Sequence, residues 1–372
     1  MSATRWPRRL AVVGTGLLGA SVGMAALAAG VPEVVGVDAD RRELRAALAR
    51  GAVTARARSV EEAADGADLV VAATPVRALA GVLARAHKVN PAAVLSDVGS
   101  TKSHLLVELE EFATDLGRVI PGHPMAGSEQ RGAQAARADL FHGAAWVLTP
   151  AAQVDHQALR RMTGFVRALG GRPLILDPEL HDRVVAFASH LPQLAASALM
   201  GAVAEVEAPA ALRSLVASGF RDTTRIAASD PDLWVDICTT NGPSIVAALD
   251  ALSERLSALR ELVAGGDRDG LREALAAARA ARLRLPAKAG VSPRALRHLI
   301  VHVPDRPGSL AAVFRVLGAA GVNVEDLSSM DHELQGGSGD LHVWVAGRDA
   351  LATALAALSG AGWTAYEAAD LH

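Results

Sequence analysis

Three short polar islands in this chain carry the residue types that do chemistry. The first is Gly122-His123-Pro124-Met125-Ala126-Gly127-Ser128-Glu129, with Ser96-Asp97-Val98-Gly99-Ser100-Thr101-Lys102 a short way upstream. A His held between Gly and Pro has little rotational freedom and an ordinary pKa near neutrality, which suits a general base. A turn whose imidazole only satisfies a backbone group is the competing reading. Ser100 is either an N-cap for the helix that follows it or a functional hydroxyl, and one residue can be both. The second island, Ala188-Ser189-His190-Leu191-Pro192-Gln193, sets a His one turn from a Gln. The third runs from Ser218 to Ile226 and on through Ser229-Asp230-Pro231-Asp232-Leu233-Trp234. Its Arg221 and Arg225 stand beside Gly and Thr, where planar guanidinium groups can clamp carboxylates; surface salt bridges would use the same residues. Trp234 reads first as packing.

The elements around these islands fall into a pattern. Arg9 to Val13 is an apolar strand that runs into Gly14-Thr15-Gly16-Leu17-Leu18-Gly19, and Ala20 to Ala29 reads as an Ala-rich helix. This is G-x-G-x-x-G with a strand before it and a helix after it: the first Gly for the turn, the second for close approach of a pyrophosphate, the third for helix packing. Leu17 and Leu18 open the helix whose N-terminus receives the phosphate charge. Glu33 to Val37 is the next strand and ends in Asp38, 19 residues after Gly19. A carboxylate there accepts from both ribose hydroxyls of NAD and repels the 2′-phosphate of NADP, although Asp38 could instead cap the helix from Arg41 to Arg50, and Arg41 and Arg42 leave room for NADP. Ala67 to Ala73 is a buried-type strand ending in Thr74-Pro75; these two residues either line the nicotinamide side or simply start a helix. Ala92 to Ser96 and Ala145 to Thr149 complete an alternation of strands and helices that reaches about Arg172, a doubly wound parallel sheet.

From Pro178 the period changes to helical, over His181 to Ala204, Ala210 to Ala217 and Ile245 to Ala280. Long apolar helices of this kind need covering, and a homodimer covers them economically. Arg282 to Arg297, with Pro286, Gly290 and Pro293, reads as a linker. After it, strands at His298 to Val303, Gly321 to Val324 and Leu341 to Ala346, with helices over Ala311 to Ala320 and Asp349 to Ser359, make a βαββαβ unit whose hairpin tip is Gln335 to Gly339. The expected organisation is therefore residues 1–172 as a dinucleotide-binding domain, 173–281 as a helical substrate and dimerisation domain, 282–297 as linker, and 298–372 as a regulatory domain.

Composition limits the partners. The 372 residues carry 37 Lys and Arg against 40 Asp and Glu, a net charge of −3, which lacks the electrostatic signature of a nucleic-acid or membrane-surface protein. A small soluble ligand is favoured. No run reaches transmembrane length without a charge or a breaker, and Met1 to Arg9 is too brief for a signal peptide. A single cysteine, Cys238, fits a reducing cytoplasm and reads as a small buried apolar residue.

Taken together, Gly122 to Glu129, Ser189-His190-Leu191-Pro192, and Gly219 to Arg225 with Ser229-Asp230-Pro231 and Trp234 resemble the prephenate dehydrogenase family of tyrosine biosynthesis, over roughly the first 280 residues. Asp305-Arg306-Pro307-Gly308-Ser309-Leu310 and Gly321-Val322-Asn323-Val324 resemble an ACT domain, a module that commonly binds an amino acid and regulates the attached enzyme. The resemblance implies oxidative decarboxylation of prephenate with NAD as hydride acceptor and no metal. It assigns His123 as base, Ser100 as the group orienting either that His or the substrate hydroxyl, and Arg225, with Arg221 as runner-up, as the carboxylate anchor. His190, Gln193, Ser128, Glu129 and Trp234 would line or gate the substrate pocket. Tyrosine or another aromatic amino acid would act through Asp305, Pro307, Gly308 and Asn323. One departure stands out: some members carry a second His where this chain has Gln193. A neutral amide there also tolerates the amino-acid side chain of arogenate. A sensor that reads nucleotide and amino acid without turnover is the reading from another class, and it has no need of His123 beside Ser100 and a carboxylate clamp.

Overall fold

The computed structural model describes residues 6–112, 115–126, 130–205, 218–284, 296–332 and 338–368. The chain divides into two compact units, Met1–Glu207 with Thr224–Ser253, and Ala208–Thr223 with Glu254–His372.

The first unit opens with alternating strands and helices: β1 (Arg9–Val13), α1 (Leu17–Ala28), β2 (Glu33–Val37), α2 (Arg41–Ala49), β3 (Ala55–Arg56), α3 (Val60–Ala64), β4 (Leu69–Ala72), α4 (Val76–Val89), β5 (Val94–Asp97) and α5 (Ser103–Phe112). The five strands form a parallel sheet in the order β3-β2-β1-β4-β5. Their near-continuous Val, Leu and Ala content buries them on both faces, one side packing Leu10, Val12, Leu69 and Val71, the other Ala11, Val13, Val70 and Leu95. Parallel register brings the C-terminal ends of β1, β2, β4 and β5, and so Gly14, Asp38, Thr74 and Asp97, to one edge of the sheet.

The sheet differs from the expected single parallel array beyond β5. Val119 still makes a parallel bridge to Leu95. The next residues turn away into a second sheet, β6 (Gly122–Pro124), β7 (Ala145–Leu148) and β8 (Arg172–Ile175), in which β6 runs antiparallel to β7. The cause lies at Gly122: its N–H donates to Asp97 Oδ1 at 3.0 Å and its carbonyl accepts from Lys102 Nζ at 2.8 Å. Side chains have taken the backbone groups that a sixth parallel strand would have paired. Helix α6 (His156–Ala168) joins β7 to β8.

The helical run expected from His181 is interrupted. It consists of α7 (Pro178–Val185), a π turn (Ala186–His190) and α8 (Leu191–Ala204). Pro192 has no N–H to return to Ala188, and Leu191 N–H reaches Ala186 O, five residues back. The wide turn falls at His190, and such turns are frequent at functional sites. The stretch from Ala210 to Ala217 lies outside the described residues. Then come α9 (Ser218–Thr224), a 3₁₀ turn (Arg225–Ala228), α10 (Pro231–Thr240), α11 (Gly242–Ala264) and α12 (Arg268–Arg282); Gly265 and Gly266 split the last expected helix in two. Phe187, Val235, Val246, Val263 and Leu275 leave half or more of their area exposed on these helices.

In the second unit, β9 (Leu296–Pro304), α13 (Ser309–Ala319), β10 (Val324–His332), β11 (Ser338–Ala346), α14 (Gly347–Gly360) and β12 (Ala365–Glu367) form the expected βαββαβ arrangement, an antiparallel sheet ordered β10-β11-β9-β12. Its core is Leu299, Val301, Val303, Val313, Leu317, Leu341, Val343 and Val345. Ser338 and Gly339, expected in the hairpin tip, are paired in β11 with Pro304 and Val303; the other tip residues lie outside the described residues. Most of the expected linker lies outside them too.

Candidate active site

The dinucleotide loop has the shape its glycines require. Gly14 has φ +89°, and a Cβ there would fall 2.4 Å from Ala73 O. A Cβ on Gly19 would fall 1.9 Å from Gly14 O, while Gly16 has open space before it. The loop is therefore pressed against β4 on one side and open at the second glycine, where a pyrophosphate would approach the start of α1 with Leu17 and Leu18. Asp38 Oδ2 accepts from Thr15 N–H at 2.5 Å and from Thr15 Oγ1 at 3.1 Å, which fixes the carboxylate at the rim of the loop. The cap of α2 is Asp40, which accepts from Arg42 N–H, so the capping role open to Asp38 is filled by another residue. Pro75 is the N-cap residue of α4. Thr74 Oγ1 is buried with no protein partner.

His123 sits in the middle of β6 and is half-buried. Its Nδ1 lies 2.9 Å from His181 Nε2, and the rings meet edge to face. His181 Nδ1 in turn lies 2.8 Å from Asp182 Oδ1. Asp182 is 2 % exposed; its two carboxylate oxygens also accept the backbone N–H groups of Lys102 at 2.9 Å and Ser103 at 2.8 Å, at the start of α5. Burial alone would raise the Asp182 pKa, but the hydrogen bond from His181 and those from the helix start outweigh it and hold the carboxyl below its ordinary value. The His123 pKa is driven well below the usual imidazole range, first by loss of hydration under the surrounding protein, then by the charge of Lys102, then by His181 and His190. Its ring is thus neutral.

Lys102 is fully buried. It pairs with Asp97, whose Oδ2 also accepts from Gly99 N–H at 2.8 Å, and it binds the Gly122 carbonyl. Desolvation lowers the Lys102 pKa, and Asp97 opposes that shift. The residue before the catalytic candidate is held at both backbone groups by one buried ion pair. Ser100 Oγ is buried without a protein partner. The group that meets the His123 ring in the structure is His181, not Ser100.

On the other wall, His190 is 1 % exposed and meets the Trp234 ring edge to face, centroids 5.9 Å apart. Asn241 Nδ2 donates to Asp182 O at 2.9 Å and lies 3.3 Å from His190 Nδ1. Burial lowers the His190 pKa to about 4, with the Asp182 charge pulling the other way. Gln193 is buried on α8, and its Oε1 accepts from Ser229 Oγ at 3.4 Å. The 3₁₀ turn that begins at Arg225 packs against α8, with Arg225 exposed on it. The structure thus gathers His123, His190, Gln193 and Trp234 with the Arg225 turn in the first unit. Arg221 is exposed on α9 and belongs to the second. Ser128 and Glu129 lie outside the described residues. Sequence reasoning missed Lys102, His181, Asp182 and Asn241, all buried among polar partners.

The effector candidates lie on the βαββαβ unit. Asp305 and Pro307 are exposed, Gly308 takes φ +88° as the N-cap residue of α13, and Asn323 Nδ2 donates to Glu325 Oε1 at 2.6 Å. Among the described residues no cluster of three or more His, Cys, Asp or Glu side chains could hold a metal ion.

A glycine-rich loop at a helix start, an acid at the next strand end and a neutral histidine on a strand tied to Asp97 at the end of β5 define a nucleotide-dependent dehydrogenase. Comparison with known proteins gives the family. Residues 27–175 match the prephenate dehydrogenase nucleotide-binding domain, 177–277 the prephenate dehydrogenase dimerization domain, and 297–361 the ACT domain. A probable prephenate dehydrogenase of Streptomyces niveus is 33% identical, covering 85% of this chain and 88% of that protein. A cyclohexadienyl dehydrogenase of Zymomonas mobilis is 33% identical over 77% of this chain and 99% of its own length. The crystal structure of prephenate dehydrogenase from A. aeolicus in complex with hydroxyphenyl propionate and NAD+ aligns with a TM-score of 0.71 at 28% identity, covering 75% of this chain and 99% of that one. The chain belongs to the prephenate dehydrogenase family.

Proposed function

We propose that this dehydrogenase converts prephenate to 4-hydroxyphenylpyruvate, using NAD. The observation that carries the reading is His123: a neutral, half-buried imidazole, held from behind by His181 on a strand whose Gly122 is tied to Asp97 at the C-terminal end of β5. The open Gly16, the fixed Asp38 carboxylate and the unpartnered Thr74 hydroxyl fit NAD, which when bound supplies the hydride acceptor.

His123 takes the proton of the ring hydroxyl on the nitrogen that does not face His181, as the carbon bearing that hydroxyl gives up its hydride. Ser100 Oγ donates to or accepts from the same hydroxyl. The ring carboxylate then stands in a vinylogous β-keto position, and it leaves as CO2 because its electron pair restores aromaticity. Arg225 anchors a substrate carboxylate, with Arg221 as the second choice. His190, Gln193 and Trp234 shape the pocket around the side chain; the family resemblance assigns Ser128 and Glu129 to the same task. Gln193 favours a second reading, arogenate or dual specificity, since a neutral amide accepts either a keto or an amino side chain.

The half-exposed apolar residues on α7 to α12 support a homodimer. One helical run, Pro178–Ala204, is long and apolar enough to cross a membrane by length and composition. It carries buried His181, Asp182 and His190 in the site, which supports reading its apolar remainder as subunit contact in a cytoplasmic enzyme. The ACT domain supports feedback by tyrosine or another aromatic amino acid. The test is purified protein with NAD and either prephenate or arogenate, read as NADH absorbance. Prephenate should give the larger kcat/KM, and His123→Asn should lower turnover by a factor on the order of 10²–10⁴ with NAD affinity retained. No oxidation of either substrate, with NAD bound tightly, would refute the reading in favour of a sensor.

A further inference from the structure

We infer that His181 and Asp182 form a relay that gives His123 its tautomer and carries part of its charge when it is protonated; the inference rests on the reading of His123 as the base. The argument starts from the group that can only accept. Asp182 is ionised, so the proton in its 2.8 Å contact with His181 sits on His181 Nδ1. In neutral His181 that leaves Nε2 as an acceptor. The 2.9 Å contact between His181 Nε2 and His123 Nδ1 then places a proton on His123 Nδ1. His123 Nε2 is left with a free lone pair, the form a general base needs.

Nothing else among the described residues has a hydrogen bond to the His123 ring that would set this choice. Without His181 the imidazole could protonate on either nitrogen, and half of the outcome is a base with no lone pair facing substrate. When Nε2 takes the substrate proton, the charge on the ring is met through His181 by the Asp182 carboxylate. The neighbouring charges are Lys102, which lies just before α5 and disfavours a positive charge on His123, its partner Asp97, and His190 from the π turn. A proton on His123 Nε2 removes the lone pair that faces the substrate, so His123 is active as the neutral ring. His181 and Asp182 are positioning residues, since neither touches the reacting atoms.

Three substitutions separate this from a merely structural role. His181→Gln keeps an acceptor toward His123 and a donor toward Asp182 but cannot take a proton. His181→Leu removes the acceptor. Asp182→Asn permits the opposite His181 tautomer. The expected result is that His181→Leu and Asp182→Asn lower kcat by about 10²-fold or more with KM changed little, while His181→Gln recovers most of the loss. The ring ¹⁵N spectrum of the wild-type protein without substrate should show a pyridine-type Nε2 on His123, and the signal should shift toward a tautomer mixture in His181→Leu. Because Asp182 also caps α5, Asp182→Asn is judged with a denaturation curve, and the His181 pair decides if that variant does not fold. A kcat for His181→Leu within threefold of wild type, or a wild-type His123 protonated on Nε2, overturns the relay. The spectrum reads the tautomer whether or not prephenate is the substrate, so failure of the relay and failure of the proposed reaction are told apart.

Discussion

Replacing Lys102 with Met tests whether the site is built on a buried ion pair. Methionine keeps the unbranched stem and removes the ammonium. Asp97 then keeps the N–H groups of Gly99 and Gly122 but has no opposite charge, in a place where neither side chain has any exposed area. Removing one partner of a fully buried pair costs about 3–5 kcal/mol, a large part of the ~5–15 kcal/mol that holds a domain folded. Urea denaturation of Lys102→Met should show that loss, and Asp97→Asn with Lys102→Met should be more stable than Lys102→Met alone, because the stranded charge is gone. A second readout is the pH profile. The Lys102 charge is among the causes that lower the His123 pKa, after burial. Without it the pKa rises but stays below the ordinary 6.5, so the acid limb of kcat/KM moves to higher pH. Stability follows the same sign. A folded-state pKa below the unfolded one means the unfolded chain binds the proton first, so stability falls as pH drops from about 6.5 toward the folded value, and less steeply in the variant. A Lys102→Met protein as stable as wild type, or an acid limb displaced to lower pH, would refute the account.

Two further outcomes follow from the cofactor loop and the ACT domain. Asp38→Ser should lower kcat/KM for NAD on the order of tenfold, from loss of about one charged hydrogen bond of 1.5–3 kcal/mol, and raise it for NADP; steady-state kinetics with both nucleotides check this. Tyrosine should change KM or kcat of the intact chain, and Gly308→Val, strained at φ +88°, should blunt that response while activity without tyrosine is kept. An unchanged response would place tyrosine at the active site, as a product analogue.

The nucleotide-binding half was legible because its glycines answer to backbone geometry that few other residues satisfy. His123 was legible from its neighbours, and the βαββαβ unit from two changes of period. The break in the sheet after β5 was not, since it depends on Asp97 and Lys102 reaching the backbone of Gly122, and nothing local in Pro121-Gly122-His123 announces that capture. His181 and Asp182 were hidden for a similar reason. Pro178-Glu179-Leu180-His181-Asp182-Arg183 reads like the solvated first turns of a helix, and Glu179 and Arg183 are indeed exposed. The approach of α5, whose first N–H groups bond Asp182, turns His181 and Asp182 inward while Leu180 stays exposed. Ser100 had two readings in the sequence, orienting the His or the substrate hydroxyl, and the bond to the His123 ring comes from a residue 58 positions away.

The missed residues are not a second layer added to the predicted site, because they close a ring with it. Asp97 holds Gly122 N–H, Gly122 precedes His123, His123 meets His181, His181 meets Asp182, Asp182 holds Lys102 N–H, and Lys102 returns to Asp97. The start of α5 is used twice, its N–H groups against Asp182 and its first lysine against Asp97. The imidazole is thereby fixed from the backbone side and from the ring side by groups that share one helix terminus, so its position cannot relax along either direction alone. Substitutions around the ring should not add independently, since each loosens bonds on which the others rest. That coupling is why a short antiparallel strand at the sheet edge, weak by its own three residues, can hold this imidazole in place.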